Sequence, residues 1–201
     1  VTGISRPLTP SAHIILAAAA FFLWMPARAA GDESRPQEVE RRIEYGTVDR
    51  FSINYAAYDV SVVGTVRECS ASTTERLFSS DGRPSTQNVE ISVGLVREED
   101  RPIKAVIAFN HDALRSQATT VSVPFSVIFG NVTVPGDAKA RQGSVMIAMP
   151  SDAIWLLGAS SSISLVDKGI SKALYFDMRN GTQVGALIRR CAAERLTLPS
   201  D

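Results

Sequence analysis

Reactive side chains are scarce in this 201-residue chain, which carries two cysteines and two histidines. His13 precedes an apolar run near the start, so His111, within Asn110-His111-Asp112, is the imidazole of the chain's main body. A loop histidine beside a carboxylate has the makings of a general base, but the sequence pairs no nucleophile with it. Gly158-Ala159-Ser160-Ser161-Ser162 begins like a Gly-x-Ser-x-Gly elbow but has serine where the last glycine belongs. It also follows a predicted helix, whereas the elbow leads from a strand into one. Both stretches read as surface turns ahead of sites, and the alternative to be tested is a small envelope hydrolase that uses His111.

Cys69 and Cys191 admit three chemistries. Either could be the thiolate of a hydrolase beside His111, both could be separate buried thiols, or they could bond to each other. The compartment favours the bond. Residues 1–29 carry a polar head with Arg6 and His13, an apolar run from Ile14 to Trp24, and Pro26-Ala27-Arg28-Ala29. Small residues at the −3 and −1 positions make this a signal peptide cut after Ala29. The rival reading, a membrane anchor, needs about 20 apolar residues and the run is far shorter. No stable membrane span is expected after cleavage, and the destination is the periplasm or beyond, where thiols oxidise. The expected disulfide is therefore Cys69–Cys191, worth about 4–5 kcal/mol by loop entropy, with 2–4 kcal/mol the commoner yield.

Other chemistries lack their residues. One histidine and two distant cysteines do not make zinc spacing, and Glu98-Glu99-Asp100 lacks a calcium loop's alternating oxygens and glycine. That acidic stretch reads as a solvated hairpin end. No phosphate-cradling glycine loop follows a strand, so no cofactor, metal or catalytic residue is assigned. Basic and acidic residues number 21 each, and loss of Arg6 and Arg28 leaves carboxylates slightly ahead. Nucleic acid is a poor partner for such a balance. Asp59, Glu68, Asp152 and Asp177 sit in regular elements, and nothing selects a catalytic pair among them. Tyr45, Tyr55, Tyr58 and Tyr175 are candidates for a face that grips a partner or a glycan, with Arg67 and Arg179 near them in sequence. Tyr55 and Tyr58 read more simply as packing residues, and Trp155 as a core plug.

The elements that position these residues are mainly strands. Apolar residues alternate at Phe51/Ile53/Tyr55, Tyr58/Val60/Val62, Val89/Ile91/Val93/Leu95, Val121 to Phe129, Val145/Ile147/Met149 and Leu174/Phe176/Met178. This period marks half-buried antiparallel strands. Asp81-Gly82-Arg83-Pro84, Gly130-Asn131, Pro135-Gly136-Asp137 and Asn180-Gly181 supply turns between them. Pro124 interrupts one run and predicts an edge or a bulge there. A short helix capped by Ser151-Asp152 is expected to run through Leu157 to Gly158. A second, capped by Thr182, places Val184, Leu187, Ile188 and Cys191 on one stripe, with Arg189, Arg190 and Glu194 turned away. A weaker helix is expected near Asn110-His111-Asp112. The predicted organisation is a signal peptide (1–29), a flexible polar leader (30–44) and one domain (45–201). That domain is mainly β, an antiparallel β-sandwich with one short helix and a C-terminal helix.

The C-terminal third carries a resemblance. A short helix with a tryptophan (Asp152 to Leu157), a strand (Ser162 to Val166), another strand with a small turn (Leu174 to Asn180), and then Gly181-Thr182-Gln183-Val184-Gly185-Ala186-Leu187 running to Cys191 are in sequence. This order resembles the end of the invasion-associated locus B-like family, small exported β-sandwich proteins of the bacterial periplasm. A similar ending occurs in accessory proteins of type VI secretion systems. The family usually has more cysteines and a tryptophan near its first strand, where this chain has Tyr58-Asp59-Val60-Ser61-Val62 and then Cys69. The resemblance carries over no site residue. It implies an exported, non-enzymatic accessory or host-interaction protein whose partner is a protein or an envelope component. A carrier of apolar ligands, with a cavity lined by Phe125, Phe129 and Phe176, is a further alternative.

Overall fold

The structure of the chain, a computed structural model, describes residues 37–60, 64–78, 84–110, 119–123, 125–160, 162–167 and 172–196. The expected signal peptide, His111 with its expected helix, and Pro124 lie outside the described residues. The strands are β1 (Gln37–Val48), β2 (Phe51–Val60), β3 (Gly64–Phe78), β4 (Pro84–Glu98), β5 (Lys104–Asn110) and β6 (Val121–Ser122). They continue with β7 (Phe125–Phe129), β8 (Val132–Val134), β9 (Asp137–Arg141), β10 (Ser144–Pro150), β11 (Ser162–Asp167) and β12 (Lys172–Asp177). A 3-10 helix, Ser151–Trp155, runs into the short α1, Leu156–Ala159, and α2 spans Gly181–Arg195.

The strands form two antiparallel sheets, in the orders β1-β2-β3-β4-β5-β10-β9-β6 and β12-β11-β7-β8. Their inner faces share one core, so the expected β-sandwich with a short helix and a C-terminal helix is what the chain forms. Phe51, Ile53 and Tyr55 of β2, Ile91, Val93 and Leu95 of β4, and Val145, Ile147 and Met149 of β10 are all buried in it, as alternation requires. The smaller sheet contributes Phe125, Val127, Phe129, Ile163, Leu165 and Phe176. Phe109 meets Phe125 edge-on with ring centroids 5.4 Å apart and lies 6.4 Å from Phe176. Two of the three rings that the carrier reading assigned to a cavity lining, Phe125 and Phe176, thus pack on Phe109, and Phe129 is buried in the same core.

Several expectations about these elements need correction. The polar leader does not extend to Glu44, because β1 starts at Gln37, with Gln37 opposite Asp59 and Ile43 opposite Tyr55. Charge does not prevent a strand at a sheet edge, and charged residues with register breaks there discourage further pairing. The run from Val121 to Phe129 is not one strand. β6 pairs with β9 in the larger sheet and β7 pairs with β8 and β11 in the smaller, while the Phe125 N–H donates to the Val123 carbonyl at 2.9 Å. The chain therefore leaves the larger sheet for the smaller between Ser122 and Phe125. Finally, Thr182 does not cap α2. Asn180 holds the N-cap position with no side-chain cap bond, and the Thr182 hydroxyl donates to the Gly158 carbonyl at 3.0 Å.

Glu98-Glu99-Asp100 forms the β4–β5 hairpin end as expected, with Glu99 and Asp100 exposed and Asp100 at φ 59. Glu99 accepts the Thr65 backbone N–H at 3.1 Å, and Arg101 lies 2.8 Å from Glu98.

Candidate functional site

Cys69 and Cys191 are joined. Cys69 lies in the middle of β3 and Cys191 on the inward stripe of α2, both wholly buried, with Cα atoms 5.8 Å apart across 122 residues of sequence. Val184, Ile188 and Cys191 are at 0 % exposure, so burial of the helix's apolar stripe and the bond act on the same face. A second attachment lies on the outer side. Tyr45 of β1 donates its hydroxyl to Glu194 at 2.9 Å, while Arg190 reaches Glu194 at 3.0 Å and Arg195 donates to the Tyr45 oxygen at 3.1 Å. The hydrogen bond from Arg190, then that from Tyr45, holds the Glu194 carboxyl below its ordinary value.

Three of the four carboxylates weighed as candidates, Asp59, Glu68 and Asp177, have local structural partners. Thr65 donates to Asp59 at 3.1 Å, and Ser70 donates to Glu68 at 3.4 Å. Glu68 is buried on the face of β3 opposite Cys69, where it joins Ser70, Ser92, Gly94, Val96, Val106 and Ala108 around a hollow of ≈ 10 Å³. That is room for about one water molecule, far below the volume of ordinary ligand pockets, about 300–1,000 Å³. Asp177 accepts from the Arg179 guanidinium at 2.7 Å and from its backbone N–H at 3.0 Å, and its own carbonyl accepts from Arg50 at 2.5 Å. The Arg179 side-chain hydrogen bond, above all, keeps the Asp177 carboxyl below its ordinary value. Among the described residues no group of three or more His, Cys, Asp or Glu side chains is placed to hold a metal ion.

The depressed Asp177 carboxyl has a testable consequence. A folded-state pKa below the unfolded one contributes stability that is fully present above the unfolded value and lost as the pH falls through the folded one. Asp177→Asn is expected to cost about 0.5 kcal/mol at neutral pH, since the pair is solvent-accessible. Urea unfolding of both proteins should show this difference closing as the pH falls below about 4.

Among the aromatics, Tyr55 is buried in the core at 1 % exposure, in agreement with its reading as a packing residue, and Tyr175 is 44 % exposed on the smaller sheet. Trp155 is not a core plug. In the 3-10 helix and α1 it is Ala153, Ile154 and Leu157 that face the core, and Trp155 is left 62 % exposed. The spacing carries this signal, because Ile154 and Leu157 stand three apart on one face and Trp155 falls off it. Nor does Arg189 turn away into solvent. Its guanidinium carbon lies 3.9 Å from the centroid of the Trp155 ring. Gly185, one turn earlier on α2, opens the space: a Cβ there would meet Arg189 Nη1 at 3.0 Å. Burial pushes the Arg189 pKa below its ordinary value. Among the described residues, neither the guanidinium nor the indole N–H has a hydrogen bond or an ionic partner.

A cation held over an exposed indole offers hydrogen-bond donors with apolar area beside them, which is the makings of a binding surface. No helix among the described residues is long and apolar enough to cross a membrane. No family model matches the chain, and no solved structure matches it. Over 97 residues, 48 % of its length, it is 26 % identical to pyridoxal 5'-phosphate synthase subunit PdxS of Pasteurella multocida (strain Pm70). The chain spans 33 % of the length of that curated relative, and so partial a likeness leaves the Trp155–Arg189 pair as the feature from which function is read.

Proposed function

We propose that this chain is an exported, non-enzymatic interaction module of the periplasm or cell exterior, which binds a protein of the envelope through the surface around Trp155. Export is supported by the signal-like residues 1–29 and by a disulfide between the chain's two cysteines, since such bonds persist in oxidising compartments. The C-terminal resemblance to exported periplasmic proteins points the same way. The observation that carries the binding role is the 62 % exposure of Trp155 on an element anchored in the core. A large exposed aromatic is informative where an exposed small apolar residue is not, and tryptophan and arginine are the side chains on which interface energy concentrates.

Trp155→Ala separates binding from stability. Removing a mostly exposed ring is expected to change unfolding free energy by no more than about 0.5 kcal/mol. Its loss from an interface centre is expected to weaken a complex by about 2 kcal/mol or more. Immobilised wild-type and Trp155→Ala proteins would be exposed to the envelope fraction of the source cell. A protein retained by the first and lost by the second supports the proposal, and identical retention by both overturns it.

A further inference from the structure

We infer that Arg189 and Trp155 form a receptor for an acidic segment of a partner protein, with a partner carboxylate on the guanidinium and a neighbouring apolar side chain on the indole. This deepens the interaction reading above and rests on it. The geometry supplies both halves. The guanidinium lies 3.9 Å from the ring centroid, in the space left by the missing Cβ of Gly185, so its position over the ring is set before any partner arrives. Its donors have no acceptor among the described residues, and no carboxylate there balances its charge.

The neighbouring arginines of α2 differ in this respect. Arg190 is paired with Glu194 at 3.0 Å, and Arg195 donates to Tyr45 at 3.1 Å. Arg189 is partly desolvated without such compensation, which is the condition under which a charge gains most from an incoming opposite charge. A guanidinium's fork matches a carboxylate with two parallel hydrogen bonds, and a pre-set position reduces the ordering cost of making them. The exposed area of the indole beside it favours an apolar residue next to the acid. Arginine and aromatic anchors are a feature of protein interfaces, which favours a protein as the occupant over an acidic glycan.

The full chain with Trp24→Phe leaves Trp155 as the only one of its two tryptophans, so its fluorescence reports this site alone. The probes are an acetylated, amidated peptide of sequence alanine-glutamate-leucine-glutamate-alanine, its glutamine counterpart, and glucuronate. The acidic peptide is expected to change the emission saturably, with about tenfold weaker binding for the glutamine peptide and for Arg189→Gln. Arg189→Lys, which keeps the charge but not the fork, is expected to fall between. Equal binding of the two peptides, no saturable response to the acidic one, or an undiminished response in Arg189→Gln overturns the inference. Tighter binding of glucuronate than of the peptide overturns the protein as occupant. If the envelope partner is still lost in Trp155→Ala while these titrations fail, the interaction role stands and only its acidic chemistry falls.

Discussion

Replacing Cys69 and Cys191 together by alanine is expected to lower the unfolding free energy by about 2–4 kcal/mol. The bond joins residues 122 apart, so it removes a large share of the unfolded chain's freedom. It also joins elements that no strand ladder connects. β3 is held on both sides by β2 and β4, whereas α2 has no sheet partner and rests on the core through Val184, Ile188, Cys191, Ala192 and Leu196. Those apolar contacts and the Tyr45–Glu194 bond survive the substitution, so the chain is expected to fold while α2 becomes the first element to open. Urea unfolding of the oxidised, reduced and substituted proteins measures the loss, and hydrogen exchange of the α2 amides locates it. An unchanged midpoint at equal slope in the substituted protein would contradict this account of the bridge.

The bridge and the fold class were legible in the sequence because each rests on a pattern that few alternatives share. Two cysteines allow one internal pair, and period-two alternation at Phe51/Ile53/Tyr55 or Val145/Ile147/Met149 has one structural meaning. β3 and β5 were harder to read. The core positions of β3 include Cys69 and Ala71, too small to stand out against Ser70 and Ser72. β5 is buried at Ala105 to Phe109 without a break, so both faces are shielded and no alternation remains. The site was not legible, since Trp155 reads from the sequence as a core plug and Arg189 as turned away. Trp155 and Arg189 belong to separate elements, and their meeting depends on how closely α1 and α2 approach. That distance is set by glycines, which a periodicity of apolar residues does not register.

Gly181→Ala is expected to cost about 3 kcal/mol, at the severe end for overpacking. A Cβ at Gly181 would stand 2.1 Å from the Leu157 carbonyl oxygen and 3.0 Å from its carbon, both backbone atoms that cannot rotate aside. α1 and α2 must then separate, and two further contacts go with them. The Thr182 hydroxyl loses the Gly158 carbonyl at 3.0 Å, and Gly185 moves off the Leu157 Cβ and Ile154 carbonyl, where its own Cβ position is 3.6 Å from each. Because Gly185 lies beneath the Arg189 side chain, the substitution should also disturb the stacking on Trp155 and weaken partner capture without touching either residue. Gly158→Ala is the control. The nearest atoms to its Cβ are those of Thr182 at 3.6 Å, an ordinary contact, so the change is expected to be neutral or to stabilise by up to about 1 kcal/mol. Urea unfolding of the two variants, with the Trp155 emission recorded in each, tests stability and site geometry in one experiment. If Gly181→Ala matched the wild type in both, the two helices would not be in backbone contact and the placement of Arg189 would need another cause.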